Sequence, residues 1–135
     1  DYHFGYTDAV YKNLKLAQQG NAVNLDGKKQ IFTPKMTSML AAQYSLALDK
    51  KKQLKLIARG EWMYVGEQYF DLANTIRQKG YNLLNARLAL SSRFGELIFW
   101  GRNLTHTKYI AYAYDFGAVH LGDPQTYGVT LMTKF

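Results

Sequence analysis

Apolar and polar residues alternate with a period of two along much of this chain, the pattern of strands that present one face to an apolar phase and one to a polar phase. From Gln53 to Val65, one face collects Leu54, Leu56, Ala58, Gly60, Trp62 and Tyr64, and the other Lys55, Ile57, Arg59, Glu61 and Met63. The carboxyl terminus repeats the pattern, with Tyr127, Val129, Leu131, Thr133 and Phe135 opposite Thr126, Gly128, Thr130, Met132 and Lys134. Tyr81 to Ser91 and Met36 to Leu48 read the same way. Glu96 to Leu104 is a fifth candidate strand and Tyr2 to Tyr11 a sixth. Ala9 to Gln18 also fits a short amphipathic helix, but the alternation of Tyr2, Phe4 and Tyr6 favours a strand there.

The connections predict how these strands are joined. Asp49 to Lys52 and Ser91 to Gly95 are short turns, whereas Lys12 to Lys35, Glu67 to Gly80 and Thr105 to Gln125 are long. In an up-and-down antiparallel meander, alternate links fall at the same end, so the short turns share one end and the long loops the other. Bacterial outer-membrane barrels have this asymmetry, and a soluble barrel does not require it. The sequence therefore predicts an all-β, antiparallel up-and-down meander of about six strands, forming a single unit over 1–135. Such barrels begin at about 8 strands, so six would leave two hydrophobic edges unpaired. More strands must come from elsewhere, and an isolated piece is expected to hide its edges by self-association or curling. The chain opens at Asp1 without a basic or apolar leader, so any export signal is expected upstream or removed.

Composition adjusts this picture little. Of the aromatics, 11 are Tyr, a residue suited to boundaries between apolar and wet surroundings. The formal charge is +7, but the 17 Lys and Arg are dispersed, with only Lys50, Lys51 and Lys52 in a run, which argues against nucleic acid as a partner. The absence of cysteine excludes a disulfide scaffold and a zinc-thiolate site. If the sheet lies in lipid, the charged parity of Lys55, Arg59, Glu61 and Arg87 must face a lumen, because a cation on the lipid face costs roughly 2–4 kcal/mol near the midplane. Trp62 and Tyr64 then fall on the lipid face at the long-loop end, where an aromatic girdle belongs.

Enzymatic chemistry has no positive signal. His3, His106 and His120 lack metal-ligand spacing, so no metal or cofactor is expected. No Gly-x-Ser-x-Gly elbow or phosphate-binding glycine loop is present, and no catalytic residue is assigned. Asn103-Leu-Thr105 matches a glycosylation sequon, a pattern frequent by chance, and is set aside. Tyr109, Tyr112 and Tyr114 crowd the last long loop beside Asp115 and Phe116, where they could contact a small-molecule ligand or simply pack on neighbouring loops.

The segment Gly122-Asp-Pro-Gln-Thr-Tyr-Gly-Val-Thr-Leu-Met-Thr-Lys-Phe135 resembles the carboxyl end of TonB-dependent outer-membrane receptors. Upstream, Trp62-Met-Tyr-Val-Gly-Glu-Gln-Tyr-Phe-Asp-Leu-Ala-Asn74 resembles the family's aromatic strand and following loop, and Tyr81-Asn-Leu-Leu-Asn-Ala-Arg-Leu88 its next strand. Gly101-Arg-Asn-Leu-Thr105 with Lys108-Tyr109 resembles the motif closing the penultimate strand. Asp26-Gly27 and Thr33-Pro34-Lys35 resemble the loop before an earlier strand. The matches run in order over nearly the whole chain. Gln125 stands where the family often has Arg, and Thr133 where it often has an aromatic.

The resemblance implies a fragment of a 22-stranded transmembrane β-barrel filled by an N-terminal plug. The parent would sit in the bacterial outer membrane and import iron-siderophore, haem or similar scarce ligands, with energy from the TonB complex. Tyr127, Val129, Leu131 and Phe135 resemble the signal read by the barrel assembly machinery, which engages a strand edge and a terminal aromatic. Outer-membrane lipid is the remaining implied partner. Two rival readings stand beside it: a self-contained soluble β-barrel or sandwich binding a small hydrophobic ligand, and a small structural outer-membrane barrel without transport.

Overall fold

A computed structural model of the chain describes residues 1–18, 21–51, 53–114 and 116–134. In chain order the strands are β1 (Tyr2–Tyr6), β2 (Lys15–Gln18), β3 (Asn21–Asn24), β4 (Met36–Asp49), β5 (Leu54–Val65), β6 (Gln68–Tyr69), β7 (Arg77–Gln78), β8 (Tyr81–Ser92), β9 (Gly95–Arg102), β10 (Ile110–Ala113), β11 (Val119–Leu121) and β12 (Thr126–Thr133). Six of them form one sheet in the order β1-β4-β5-β8-β9-β12. Every pairing is antiparallel, so the sheet is the meander that the alternation predicts.

The registers align apolar residues into continuous rows. Tyr44 faces Ala58, Ala58 faces Leu88, Leu88 faces Phe99 and Phe99 faces Val129. One step along, Leu46, Leu56, Leu90, Leu97 and Leu131 line up in the same way. Directly opposed residues of an antiparallel pair project from the same side. One face of the sheet is therefore a band of leucine, alanine and aromatic side chains five strands wide.

The short links are tight. Ser92 pairs with Gly95 across a two-residue turn, in which the Ser92 hydroxyl accepts from Phe94 N at 3.2 Å. Gly95 has φ +155° and lies against the Met132 carbonyl, which an added Cβ would approach to 2.1 Å, so a side chain cannot be accommodated. At the other turn, Asp49 Oδ1 accepts from Lys51 N at 2.8 Å, the local bond that favours Asp at a turn start.

Two expected strand ends need correction, and one disfavoured alternative drops out. The first strand stops at Tyr6 rather than Tyr11, because Asp8 turns away to form an ion pair with Lys29 and Val10 makes only an isolated bridge to Lys29. The helical alternative over 9–18 is not adopted, since Lys15–Gln18 pairs with Asn21–Asn24 as a hairpin. The fifth strand ends at Arg102 instead of Leu104, where Asn103 enters the left-handed region at φ 48°.

Each long link carries a small hairpin of its own, β2-β3, β6-β7 or β10-β11. The three long links are bonded to one another. Asn74 Oδ1 accepts from Lys29 N at 2.6 Å and its Nδ2 donates to Lys29 O at 3.0 Å, while Phe32 N donates to Tyr69 O at 2.9 Å. Gln78 Oε1 accepts from Ile110 N at 2.8 Å and ties in the third loop. Among the described residues, Leu25, Phe70 and Ala113 of the loops are buried more deeply than any large apolar residue of the sheet.

Candidate functional site

Burial within the sheet is inverted relative to a water-soluble protein. Its buried hydrophobic residues, Ala41, Ala89 and Ile98, all lie on the charged parity: Ala41 opposes Glu61, and Ala89 opposes Ile57 and Ile98. The large apolar side chains stand on the other face in the open, with Tyr44 69% and Leu131 71% exposed.

Four charged residues singled out in the sequence share one side. Arg59 and Arg87 are directly opposed, Glu61 opposes Asn85, and Lys55 opposes Ser91, whose other neighbour is Glu96. Arg59 Nε donates to Glu61 Oε1 at 2.8 Å, and its Nη1 lies 3.6 Å from Asp1 Oδ2. Trp100 opposes Arg87 on this same side and lies across Gly128, where an added Cβ would come within 2.2 Å of the indole. Its Nε1 donates to Thr130 Oγ1 at 3.2 Å, and the Arg102 guanidinium sits 5.4 Å from the ring centroid. Arg59, Glu61, Asn85, Arg87, Trp100 and Arg102 enclose a shallow depression of about 420 Å³. Alternation does not single out Trp100 and Arg102, because Leu97 to Trp100 is apolar at every position and shows no parity.

On the apolar side, Trp62 and Tyr64 stack at 6.5 Å with ring planes 17° apart. Register sets Tyr2 beside Leu40 and Trp62, and Phe4 beside Ser38 and Tyr64. These residues form an aromatic zone at the long-loop end, to which β1 contributes Tyr2, Phe4 and Tyr6.

The loop tyrosines separate into two places. Tyr109 leaves the cluster to stack on Tyr81 at 4.3 Å, and it covers Gly122, where only a glycine leaves room for its ring. Tyr112 stacks on Phe32 at 5.0 Å and touches Tyr114 edge-on at 4.6 Å; Phe32 in turn meets Phe70 at 5.6 Å. A cavity of about 550 Å³ opens among these rings, lined also by Leu16, Val23 and Leu25. Asp71, the one acid of its lining among the described residues, accepts from Ile76 N at 2.6 Å, Thr75 N at 3.1 Å and Thr75 Oγ1 at 2.8 Å. Partial burial raises the Asp71 pKa, but these donors outweigh it and hold the carboxyl below its ordinary range.

Asn103, set aside above as part of a chance sequon, is the buried polar residue of the loop base. Its Nδ2 donates to Thr107 O at 2.9 Å and Asp123 O at 3.0 Å, and its Oδ1 accepts from Thr107 N at 2.9 Å. A single side chain thus ties both ends of the third loop to β9. The three histidines lie on separate elements, and no group of metal-ligating residues occurs among the described residues. Tyr127, Val129 and Leu131 form the exposed outer row of β12, while Phe135 lies outside the described residues.

No family model matches the sequence. Solved structures do. The siderophore receptor PiuA of Acinetobacter baumannii is similar over 99% of this chain and 19% of its own, with TM-score 0.83 and 19% identity. The ferric yersiniabactin uptake receptor FyuA of Yersinia pestis is similar over 87% of this chain and 19% of its own, with TM-score 0.75 and 21% identity. The ferric-catecholate import receptor Fiu of E. coli K12 is similar over 98% of this chain and 18% of its own, with TM-score 0.73 and 24% identity. The chain thus spans about a fifth of the length of the structures it matches. The likeness is one of fold: the six-strand antiparallel meander of this chain matches one stretch of each of these receptors.

Proposed function

We propose that this chain is the carboxyl-terminal barrel wall of an outer-membrane TonB-dependent importer of iron-siderophore, haem or similar scarce ligands. The inverted burial carries the reading. A contiguous apolar face five strands wide, with its leucines and tyrosines bare, is a liability in water and the required surface in lipid. A strand of 12 residues, such as β5 or β8, is about 40 Å long, which at a tilt of about 45° spans the hydrocarbon core. A soluble barrel or sandwich would bury that face and expose the arginines.

In this reading Lys55, Arg59, Glu61 and Arg87 face the lumen, and Trp62 and Tyr64 belong to the lipid-face girdle. The short turns and the end of β12 lie on the periplasmic side. Tyr127, Val129, Leu131 and Phe135 form the edge offered to the barrel assembly machinery. The three packed loops lie outside the cell, where Tyr112 and Tyr114 contact a small-molecule ligand; Tyr109, held on Tyr81, supports the loop base. The plug and the TonB complex act through the rest of the protein.

Single cysteines at Ala86, Arg87 and Leu88 in the full-length protein provide the test. In outer membranes, a water-soluble maleimide is expected to label position 87 and a lipid-soluble one positions 86 and 88. Equal aqueous labelling at all three positions, or a full-length protein absent from outer-membrane fractions, sinks the proposal.

A further inference from the structure

We infer that the charged face of the sheet holds a carboxylate-binding site at Arg87 and Arg102, beside Trp100. Arg59 and Arg87 oppose each other directly on neighbouring strands, an arrangement of like charges that disfavours the fold unless counter-charge is present. Arg59 has its counter-charge in Glu61 and Asp1. Among the described residues, no carboxylate lies within ion-pair distance of Arg87 or Arg102. The local sum over Arg59, Arg87, Arg102 and Glu61 is therefore positive, and it surrounds a depression of about 420 Å³.

The shape of the site selects the ligand. A guanidinium presents a planar fork that matches a carboxylate, and on the same face Arg59 Nε already donates to one Glu61 carboxylate oxygen at 2.8 Å. Trp100 is fixed by Gly128 beneath and by the bond to Thr130, which gives the depression a rigid apolar side wall. Asn85 Oδ1 is already engaged by Asn103 N at 3.0 Å, which leaves the Asn85 amide as a further donor. The carboxylate comes either from a small free anion or from an acidic side chain elsewhere in the same protein. The site rests on the barrel reading only in that this face is shielded from lipid.

The experiment uses the full-length protein in detergent micelles. Melting temperature is measured in citrate and in chloride at matched ionic strength, for the wild type, Arg87→Gln, Arg87→Lys and Arg102→Gln. With a free anion as occupant, citrate raises the wild-type melting temperature and its half-effect concentration rises at least tenfold in Arg87→Gln. With an internal carboxylate, citrate has no specific effect, Arg87→Gln lowers the anion-free melting temperature, and Arg87→Lys restores much of it. An empty site gives the opposite sign: Arg87→Gln relieves the repulsion with Arg59 and raises the melting temperature or leaves it unchanged, with no change in citrate dependence. That result overturns the inference, and Arg102→Gln reads the same contrast should Arg87→Gln fail to fold. Failure of the barrel reading is seen separately, as wild-type protein that shows no heat-modifiable migration on gels.

Discussion

Asn74 pairs with the backbone of Lys29 through both of its amide atoms, accepting from the Lys29 N–H at 2.6 Å and donating to the Lys29 carbonyl at 3.0 Å. One side chain thus imitates a strand neighbour and joins the first long loop to the second. Its backbone sits at φ 59°, a conformation that Asn tolerates better than most residues. Asn74→Ala is expected to loosen the loop cluster by about 2 kcal/mol, from lost hydrogen bonds and left-handed strain. Asn74→Gly removes the bonds but not the conformation, so it should fall between the two. Hydrogen exchange at residues 28–32 checks the order.

Phe70→Ala tests whether the loops form a core of their own. Phe70 is 4% exposed and meets Phe32, and emptying such a position costs about 3–5 kcal/mol where the surroundings cannot collapse. The loss is expected to stay local. Limited proteolysis should cut the loops of the variant rapidly while the barrel keeps its heat-modifiable migration.

Leu88→Arg and Arg87→Leu exchange character at neighbouring positions that project to opposite faces. In lipid, Leu88→Arg is expected to cost roughly 2–4 kcal/mol in urea-induced unfolding from vesicles. Arg87→Leu should cost much less. A reversed ranking would contradict the assigned faces.

Lowering the pH should open the second loop. The Asp71 pKa in the folded protein lies below that of an unfolded chain, so its stabilising effect is complete above the ordinary carboxylate range and is lost as the pH falls through the depressed value. Proteolytic sensitivity of residues 70–78 is therefore expected to rise as the pH falls below the ordinary carboxylate range. Asp71→Asn should show less of this dependence.

Much of the sheet was legible because its two faces differ in character, so parity survives along Leu54 to Tyr64 except at Ile57 and Met63. It failed where both parities are apolar, as at Ile98, Phe99 and Trp100, which is why the depression around Trp100 went unseen. The loops were opaque for another reason. Their order depends on contacts distant in sequence, such as Asn74 with Lys29 and Phe32 with Tyr112, and on left-handed turns at Asn74 and Asn103 that no periodicity announces. Asp8 ended the first strand early by reaching Lys29, another partner that local pattern cannot supply.

Along the last pairing, Tyr127 lies over Gly101 on one face and Trp100 over Gly128 on the other, in adjacent registers. Each strand lends a ring and receives one, so the join between β9 and β12 is clasped from both sides. A load applied to the carboxyl end would have to peel two rings from two glycine backbones in opposite directions before the hydrogen bonds could part. The seam is thus held by two ring contacts, one on each face, in addition to its 8 paired positions.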